Sequence, residues 1–314
     1  MFKRLFYNVY SWVIIVAILV LVFINQHYHI VAYNCTVTSE SASFRLMTYN
    51  AYGAYGDYGN EAVVNRFLAA IDSIHPDVLA LQEMHYGQAP MLCEGLRKRY
   101  PYNAIHELNV RRTGDRDIAC LFSRYPIRSI YQLKEEAQQV DSIYNKYAVP
   151  KEARDWGKQE IFNVVLDIEG KDVLLVCSYL KTNNVPRFHK KGFKGFKEVL
   201  QKSLEGYQVG SEIRHLDAQL IRDSIEHYHL PTIVCGDMND FESSKTVQTI
   251  LGNDLKDVWW ESGKGYGMTY YRHHLKIRID HILTSEEIEA VSVDIPHLPF
   301  SDHYPLVADL RFTN

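Results

Sequence analysis

The 314-residue chain has little surplus charge of either sign: 34 lysines and arginines stand against 38 aspartates and glutamates, for a net charge of −4. That near balance excludes a protein that coats nucleic acid through bulk electrostatics, because such binding needs a broad basic face to release counterions. A local basic patch is still compatible with it. Cysteine is scarce as well. The thiols at Cys35, Cys93, Cys120, Cys177 and Cys235 form no Cys-x-x-Cys pair and no zinc-ligand spacing. Cys177 and Cys235 sit inside apolar, strand-like runs, where a buried free thiol is the usual outcome. Internal repeats, heptads and low-complexity tracts are missing. So are Gly-x-Ser-x-Gly, the Walker A loop, His-Glu-x-x-His and Gly-x-Gly-x-x-Gly. With 46% hydrophobic and 23% charged residues, what is there is an ordinary globular chain.

Charge is absent altogether between Arg4 and Glu40. Within that stretch Trp12 to Ile24 is unbroken apolar sequence. Counted from Leu5, the segment reaches the roughly 20 residues needed to cross a hydrocarbon core. Tyr7, Tyr10 and Trp12 fall where an interfacial aromatic belt would lie. No small-x-small cleavage signature follows, so an uncleaved signal anchor fits better than a removed leader. Lys3 and Arg4 precede the run, and the positive-inside bias then places the amino terminus in the cytoplasm and the rest of the chain on the outer side. The expected organisation is a transmembrane anchor at 1–25, a tether at 26–43 and one domain at 44–314, long enough to bury a sizeable core.

Apolar runs predict strands at Phe44–Tyr49, Val78–Gln82, Ile118–Phe122, Ile161–Ile168, Val173–Tyr179, Thr232–Cys235, Arg278–Leu283 and Tyr304–Arg311. Helical spacing of Val64, Phe67, Leu68 and Ile71 predicts a helix at Glu61–Ile74, with Asn60 as its N-cap. A second helix is expected near Ser211–His227. Glu169-Gly170 between two strand runs indicates a hairpin. Hairpins mixed with strand–helix units imply mixed sheets covered by helices, an α/β (α+β) fold.

Several strand-like runs end in an acid or an amide, at Asn50, Glu83, Asp237 with Asn239, and Asp280 after Arg278-Ile279, while Asp302 with His303 opens the last strand. Any one alone reads as a turn former. Together they concentrate negative charge at one end of a sheet, which is costly unless a cation offsets it. Oxygen ligands with a single good imidazole suit Mg²⁺, or Mn²⁺, better than zinc. Asp-x-Asn in an extended segment would put Asp237 and Asn239 on one side, while adjacent Asp302 and His303 would face opposite sides.

The stretches Met47-Thr48-Tyr49-Asn50, Leu81-Gln82-Glu83, Leu121–Ile127, Cys235-Gly236-Asp237-Met238-Asn239, Ile279–Leu283 and Ser301-Asp302-His303-Tyr304-Pro305 resemble, in order, the motifs of the endonuclease/exonuclease/phosphatase superfamily. That superfamily includes nucleases, neutral sphingomyelinases and inositol polyphosphate 5-phosphatases. The resemblance implies a four-layer α/β sandwich of two packed mixed sheets flanked by helices, here preceded by the anchor. It also implies hydrolysis of a phosphoester by in-line attack of water. By the same resemblance Glu83, Asn50 and Asp302 adjoin the Mg²⁺, Asp237 activates the water, Asn239 donates to the phosphate, and His303 is held by Asp280.

Many members carry a histidine where this chain has Tyr179, a residue better suited to donating a hydrogen bond than to acting as a base. After Tyr179, Lys181, Arg187, Lys190, Lys191, Lys194, Lys197 and Lys202 cluster, interleaved with Phe193 and Phe196. This basic segment reads as an anion-binding loop, with Lys181, Arg187, Lys190 and Lys191 as the substrate-binding candidates. Nucleic acid and phospholipid or inositol phosphate are the substrate classes it leaves open. A different class of function is a non-catalytic, membrane-anchored protein of the same fold that holds an anionic partner through the 181–202 loop.

Overall fold

The computed structural model describes residues 42–51, 59–85, 90–110, 116–134, 137–149, 151, 154, 160–183, 196–272 and 275–313. Among these residues no helix is long and apolar enough to cross a membrane. The expected anchor at 1–25, the tether up to residue 41, and Arg187, Lys190 and Lys191 lie outside the described residues.

Two six-stranded mixed sheets form the centre. The first takes the spatial order β13 (Ile288–Asp294), β14 (Leu306–Phe312), β1 (Phe44–Asn50), β2 (Val78–His85), β4 (Arg116–Ser123) and β3 (Tyr102–Val110). The second runs β5 (Ile127–Leu133), β6 (Glu160–Ile168), β7 (Lys171–Tyr179), β8 (Thr232–Asp237), β12 (Asp280–Ser285) and β9 (Leu255–Asp257). Only β1 with β2, and β7 with β8, pair in parallel. A separate two-stranded hairpin joins β10 (Tyr270–Arg272) to β11 (Leu275–Ile277).

Side-chain alternation explains the layering. In β1, Phe44 and Leu46 enter the core shared by the two sheets, with Phe162, Val164, Leu175 and Ile233 from the second sheet. Met47 and Tyr49 point the other way, onto Val64, Phe67 and Ile71 of helix α1 (Glu61–Ile74) and Leu92 of α2 (Pro90–Arg97). On the far side Leu174, Val176 and Val234 meet Ile221 and Ile225 of α4 (Phe196–Tyr228), and Val247 and Ile250 of α5 (Lys245–Leu251). The order is helix, sheet, sheet, helix, an α/β sandwich. Two smaller helices, α3 (Ala137–Lys146) and α6 (Val258–Ser262), complete the set among the described residues.

Helix α1 occupies the predicted span, and the Asn60 side chain accepts from the Ala62 amide at 3.0 Å. The second predicted helix begins far earlier, at Phe196 rather than near Ser211, so the expected basic loop of 181–202 becomes helical before its end. No proline interrupts 196–228. Gly210 is tolerated because its bare backbone abuts buried Arg214; a Cβ there would lie 2.9 Å from Arg214 Nη1. The predicted strand at Arg278–Leu283 starts two residues later than expected, at Asp280, and runs to Ser285, after the hairpin strand Leu275–Ile277. The four described cysteines are free and buried.

Candidate active site

The site begins as a consequence of register. Glu160 pairs with Tyr179, Tyr179 with Asp237, and Asp237 with Asp280, so four neighbouring strands of the second sheet present a lateral row of polar side chains on one face. Close approach at Gly236 makes the row possible. Its φ of 137° is open to glycine, and a Cβ there would fall 1.8 Å from the Ser178 carbonyl oxygen.

The first sheet contributes by a different device. Leu81 pairs with Cys120 and Met84 with Ile118, leaving both Gln82 and Glu83 opposite Ala119. This is a bulge, and it turns Glu83 into the left-handed region at φ 53°. A non-glycine residue held there carries strain, which is common at functional sites. Buried Gln82 secures the turn by donating to Thr48 Oγ1 at 3.2 Å.

Asn50 links the two sheets. Its amide donates to Glu83 Oε1 at 3.0 Å and to Asp237 Oδ2 at 2.9 Å. Asn239 reaches Asp237 through a turn, not through the strand alternation expected from Asp-x-Asn: its φ is 50°, and its backbone N–H donates to Asp237 Oδ1 at 2.9 Å. Its side-chain amide donates to the Leu180 carbonyl at 3.0 Å and to Asp237 Oδ2 at 3.3 Å. Asn239 therefore orients Asp237, where the resemblance had it donating to a phosphate.

His303 Nδ1 sits 2.8 Å from Asp280 Oδ2, and its Nε2 stands 3.8 Å from Asp237 Oδ2. Asp237, Asp280 and His303 are all buried and bring their polar atoms within 4.8 Å of one another. Burial alone would keep the imidazole neutral. The carboxylates of Asp280 and Asp237 outweigh it and push the His303 pKa up to about 10. Asp237 is pushed up to about 7, by burial first and then by Asp280 and Glu83, against the opposing effects of His303 and the Asn50 hydrogen bond. Asp302 lies half-buried beside this group; its carboxylate also favours the imidazolium, and its carbonyl accepts the Tyr271 N–H at 2.7 Å.

Glu83, Asp237, Asp280 and Asp302 thus face a single imidazolium, and the buried Asp280 Oδ1 has no hydrogen-bond partner. This oxygen-rich, electron-surplus set fits a hard divalent cation. The tightest cluster is not the place for it, because His303 Nδ1 is committed to Asp280. Glu83 and Asn50, which bond each other beside Asp237, are the residues that would hold the ion, with Asp302 on the imidazole side.

Tyr179 is buried in the row between Glu160 and Asp237. Lys181 is buried too, at 3% exposure, so it does not join an exposed basic surface. Its carbonyl accepts Arg214 Nη1 at 2.7 Å, and Arg214 forms a fully buried ion pair with Asp240 at 3.0 Å. Sequence reasoning missed Thr269 and Tyr270. Thr269 Oγ1 accepts the Ile279 and Asp280 amides at 3.2 and 3.1 Å, and the Tyr270 ring packs edge-on against His303 at 4.9 Å. The signal was the Met268-Thr269-Tyr270 run following the glycine turn at Gly265 and Gly267.

The Endonuclease/Exonuclease/phosphatase family model matches residues 47–303. An endonuclease/exonuclease/phosphatase structure from Beutenbergia cavernae is 19% identical, with a TM-score of 0.61, covering 86% of this chain and 72% of that one. The human Nocturnin catalytic domain with bound sulfate is 18% identical with a TM-score of 0.58, covering 86% and 94%. A humanized D. rerio TDP2 is 13% identical with a TM-score of 0.56, covering 85% and 98%. No curated protein matches the chain by sequence.

Proposed function

This chain belongs to the endonuclease/exonuclease/phosphatase family, and from that premise we propose that it is a membrane-anchored, Mg²⁺-dependent phosphoesterase. It hydrolyses a phosphodiester or phosphomonoester of nucleic acid, phospholipid or inositol phosphate by in-line attack of water. The observation that carries this reading is the convergence of Asn50 and Glu83 from one sheet with Asp237 and Asp280 from the other and His303 from the segment leading into β14. The sulfate in the Nocturnin catalytic domain fits a fold that receives tetrahedral anions.

Glu83 and Asn50, with Asp302 nearby, would hold Mg²⁺, which would supply polarisation of a phosphoryl oxygen and neutralisation of charge. Asp237, with its pKa near 7, accepts a proton from the attacking water at physiological pH. Asn239 and Asn50 hold that carboxylate by two hydrogen bonds from side chains and one from the backbone, and a further bond to the Leu180 carbonyl fixes Asn239 itself. His303, kept protonated by Asp280, presents a positive charge and a donor to the phosphoryl group. Tyr179 offers its phenol as a further donor beside Asp237. With Lys181 buried, Arg187, Lys190 and Lys191 remain as the proposed substrate-binding residues, within the basic segment that follows Asn183.

The charge-free stretch between Arg4 and Glu40 supports an uncleaved anchor at 1–25 and a tether at 26–43. The basic residues before it support a domain on the outer face. A panel of plasmid DNA, RNA, sphingomyelin and inositol phosphates, assayed with Mg²⁺ and with chelator, tests the reading. Chelator-sensitive turnover of one class is expected; no turnover on any of them sinks it.

A further inference from the structure

We propose that Glu160 is a positioning residue of this site, tying the two sheets together at the level where β2 carries its bulge. The inference rests on the phosphoesterase reading for its kinetic consequence, but not for its structural one.

Glu160 opens β6 with its side chain 1% exposed in the core between the sheets. Burial pushes its pKa up to about 8, against the smaller effects of the Ala119 amide and Lys134, so at neutral pH it is largely a neutral acid. One oxygen, Oε2, accepts the backbone N–H of Ala119 at 3.1 Å, a bond from the second sheet to the first. The other, Oε1, is buried without a hydrogen-bond partner. A leucine would fill the same apolar space without that desolvation, so a carboxyl here costs stability and its effect has to be sought elsewhere.

Its two neighbours show where. Ala119 is the β4 residue that stands opposite both Gln82 and Glu83, so the bond grips the first sheet at the bulge that aims Glu83. In its own sheet Glu160 is in register with Tyr179, which is in register with Asp237. Glu160 is thus the outer end of the row Glu160, Tyr179, Asp237, Asp280, and it is bonded to the strand that faces the Glu83 bulge. Asn50 closes the sheets on the Asp237 side, and Glu160 closes them on the Tyr179 side. The spacing between Glu83 and the row is held at both ends.

The test compares Glu160→Leu and Glu160→Gln in the full-length protein, since glutamine keeps an acceptor of the same shape. Amide hydrogen exchange across 80–84 and 118–121, thermal melting and Mg²⁺-supported turnover are read together. In Glu160→Leu the Ala119 amide should exchange about tenfold faster or more, kcat should fall about tenfold to a hundredfold with KM within about twofold, and Tm should not fall. Glu160→Gln should match wild type in exchange and turnover. Wild-type exchange and kcat in Glu160→Leu would overturn the proposal, as would a glutamine variant as impaired as the leucine one. If Glu160→Leu does not fold, Glu160→Met, which also lacks the acceptor, takes its place beside Glu160→Gln under the same criteria. If the wild type turns over no phosphoester, the functional reading fails, and the exchange comparison still decides whether Glu160 holds the bulge.

Discussion

Two buried aspartate–histidine pairs lie close together in this molecule and have opposite characters. His281 Nδ1 stands 3.4 Å from Asp257 Oδ2, and Arg278 Nη1 bonds both oxygens of Asp257 at 3.0 and 2.7 Å. His281 Nε2 meets the Asp240 carbonyl at 3.0 Å. Burial works against the Asp257 charge, but His281 and Arg278 together hold its pKa below the ordinary carboxylate value. In the pair His303–Asp280 no arginine takes part; further carboxylates crowd in, one Asp280 oxygen is unpaired, and the histidine carries the compensating charge. Asp280 and His281 are adjacent on β12 and face opposite sides, so one strand separates a network in which an arginine offsets the carboxylate from one in which carboxylates are in surplus. Proximity of aspartate to histidine does not mark a reaction centre. An excess of negative charge that the protein itself leaves uncompensated does.

The widest gap between the pairs should appear in turnover. His303→Ala is expected to lower kcat by about 10²- to 10⁴-fold, as for loss of an acid–base group, while His281→Ala keeps kcat within a fewfold; steady-state kinetics with Mg²⁺ reads both. Equal losses would erase the distinction. The next effect is on stability. Asp257→Ala strands a buried Arg278 and should cost about 3–5 kcal/mol in urea unfolding. Unchanged unfolding would show that the His281 network is not structural.

Gly236→Ala sharpens the comparison from the backbone they share. Its Cβ would collide with the Ser178 carbonyl, so β8 must move from β7 at a cost of about 1–3 kcal/mol, with kcat falling because Asp237 moves too. The smallest effect is in pH dependence. The folded state raises His303 from 6.5 to about 10, so the stability it contributes is complete below about pH 6.5 and lost as pH rises through about 10. Asp237, raised from 3.8 to about 7, acts in the same direction at lower pH: the native state binds its proton more tightly, and stability falls from about pH 4 to 7. Unfolding in chelator should therefore show stability declining with pH, and His303→Gln should flatten the alkaline limb. His281→Gln leaving that limb in place completes the contrast.

Much of the fold was legible because the core strands are apolar runs buried along their length and α1 has a clear apolar stripe and cap. The acids at strand ends were legible because each flanks such a run, Glu83 and Asp237 at its close and Asp280 and Asp302 at its opening. The helix at Phe196 was hidden by its lysine-rich start, which reads as a solvated segment. The roles of Thr269 and Tyr270 depend on the small β10–β11 hairpin, whose strands are too short for periodicity to register. Glu160 lies one residue before the strand predicted at Ile161–Ile168, and only the packing of the two sheets shows what it touches. The turn at Asn239 and the bulge at Glu83 are backbone features that alternation cannot predict, since both residues leave the extended region.

The central claim is that the charge deficit at Glu83, Asp237, Asp280 and His303 serves a divalent cation and a phosphoester. The most direct measurement is the rate of phosphoester hydrolysis across the substrate panel as Mg²⁺ is titrated into chelator-stripped wild type and Glu83→Gln. Turnover that rises with Mg²⁺ in the wild type and is lower by orders of magnitude in Glu83→Gln is the predicted result. Turnover indifferent to Mg²⁺, or equal in the two proteins, would contradict it.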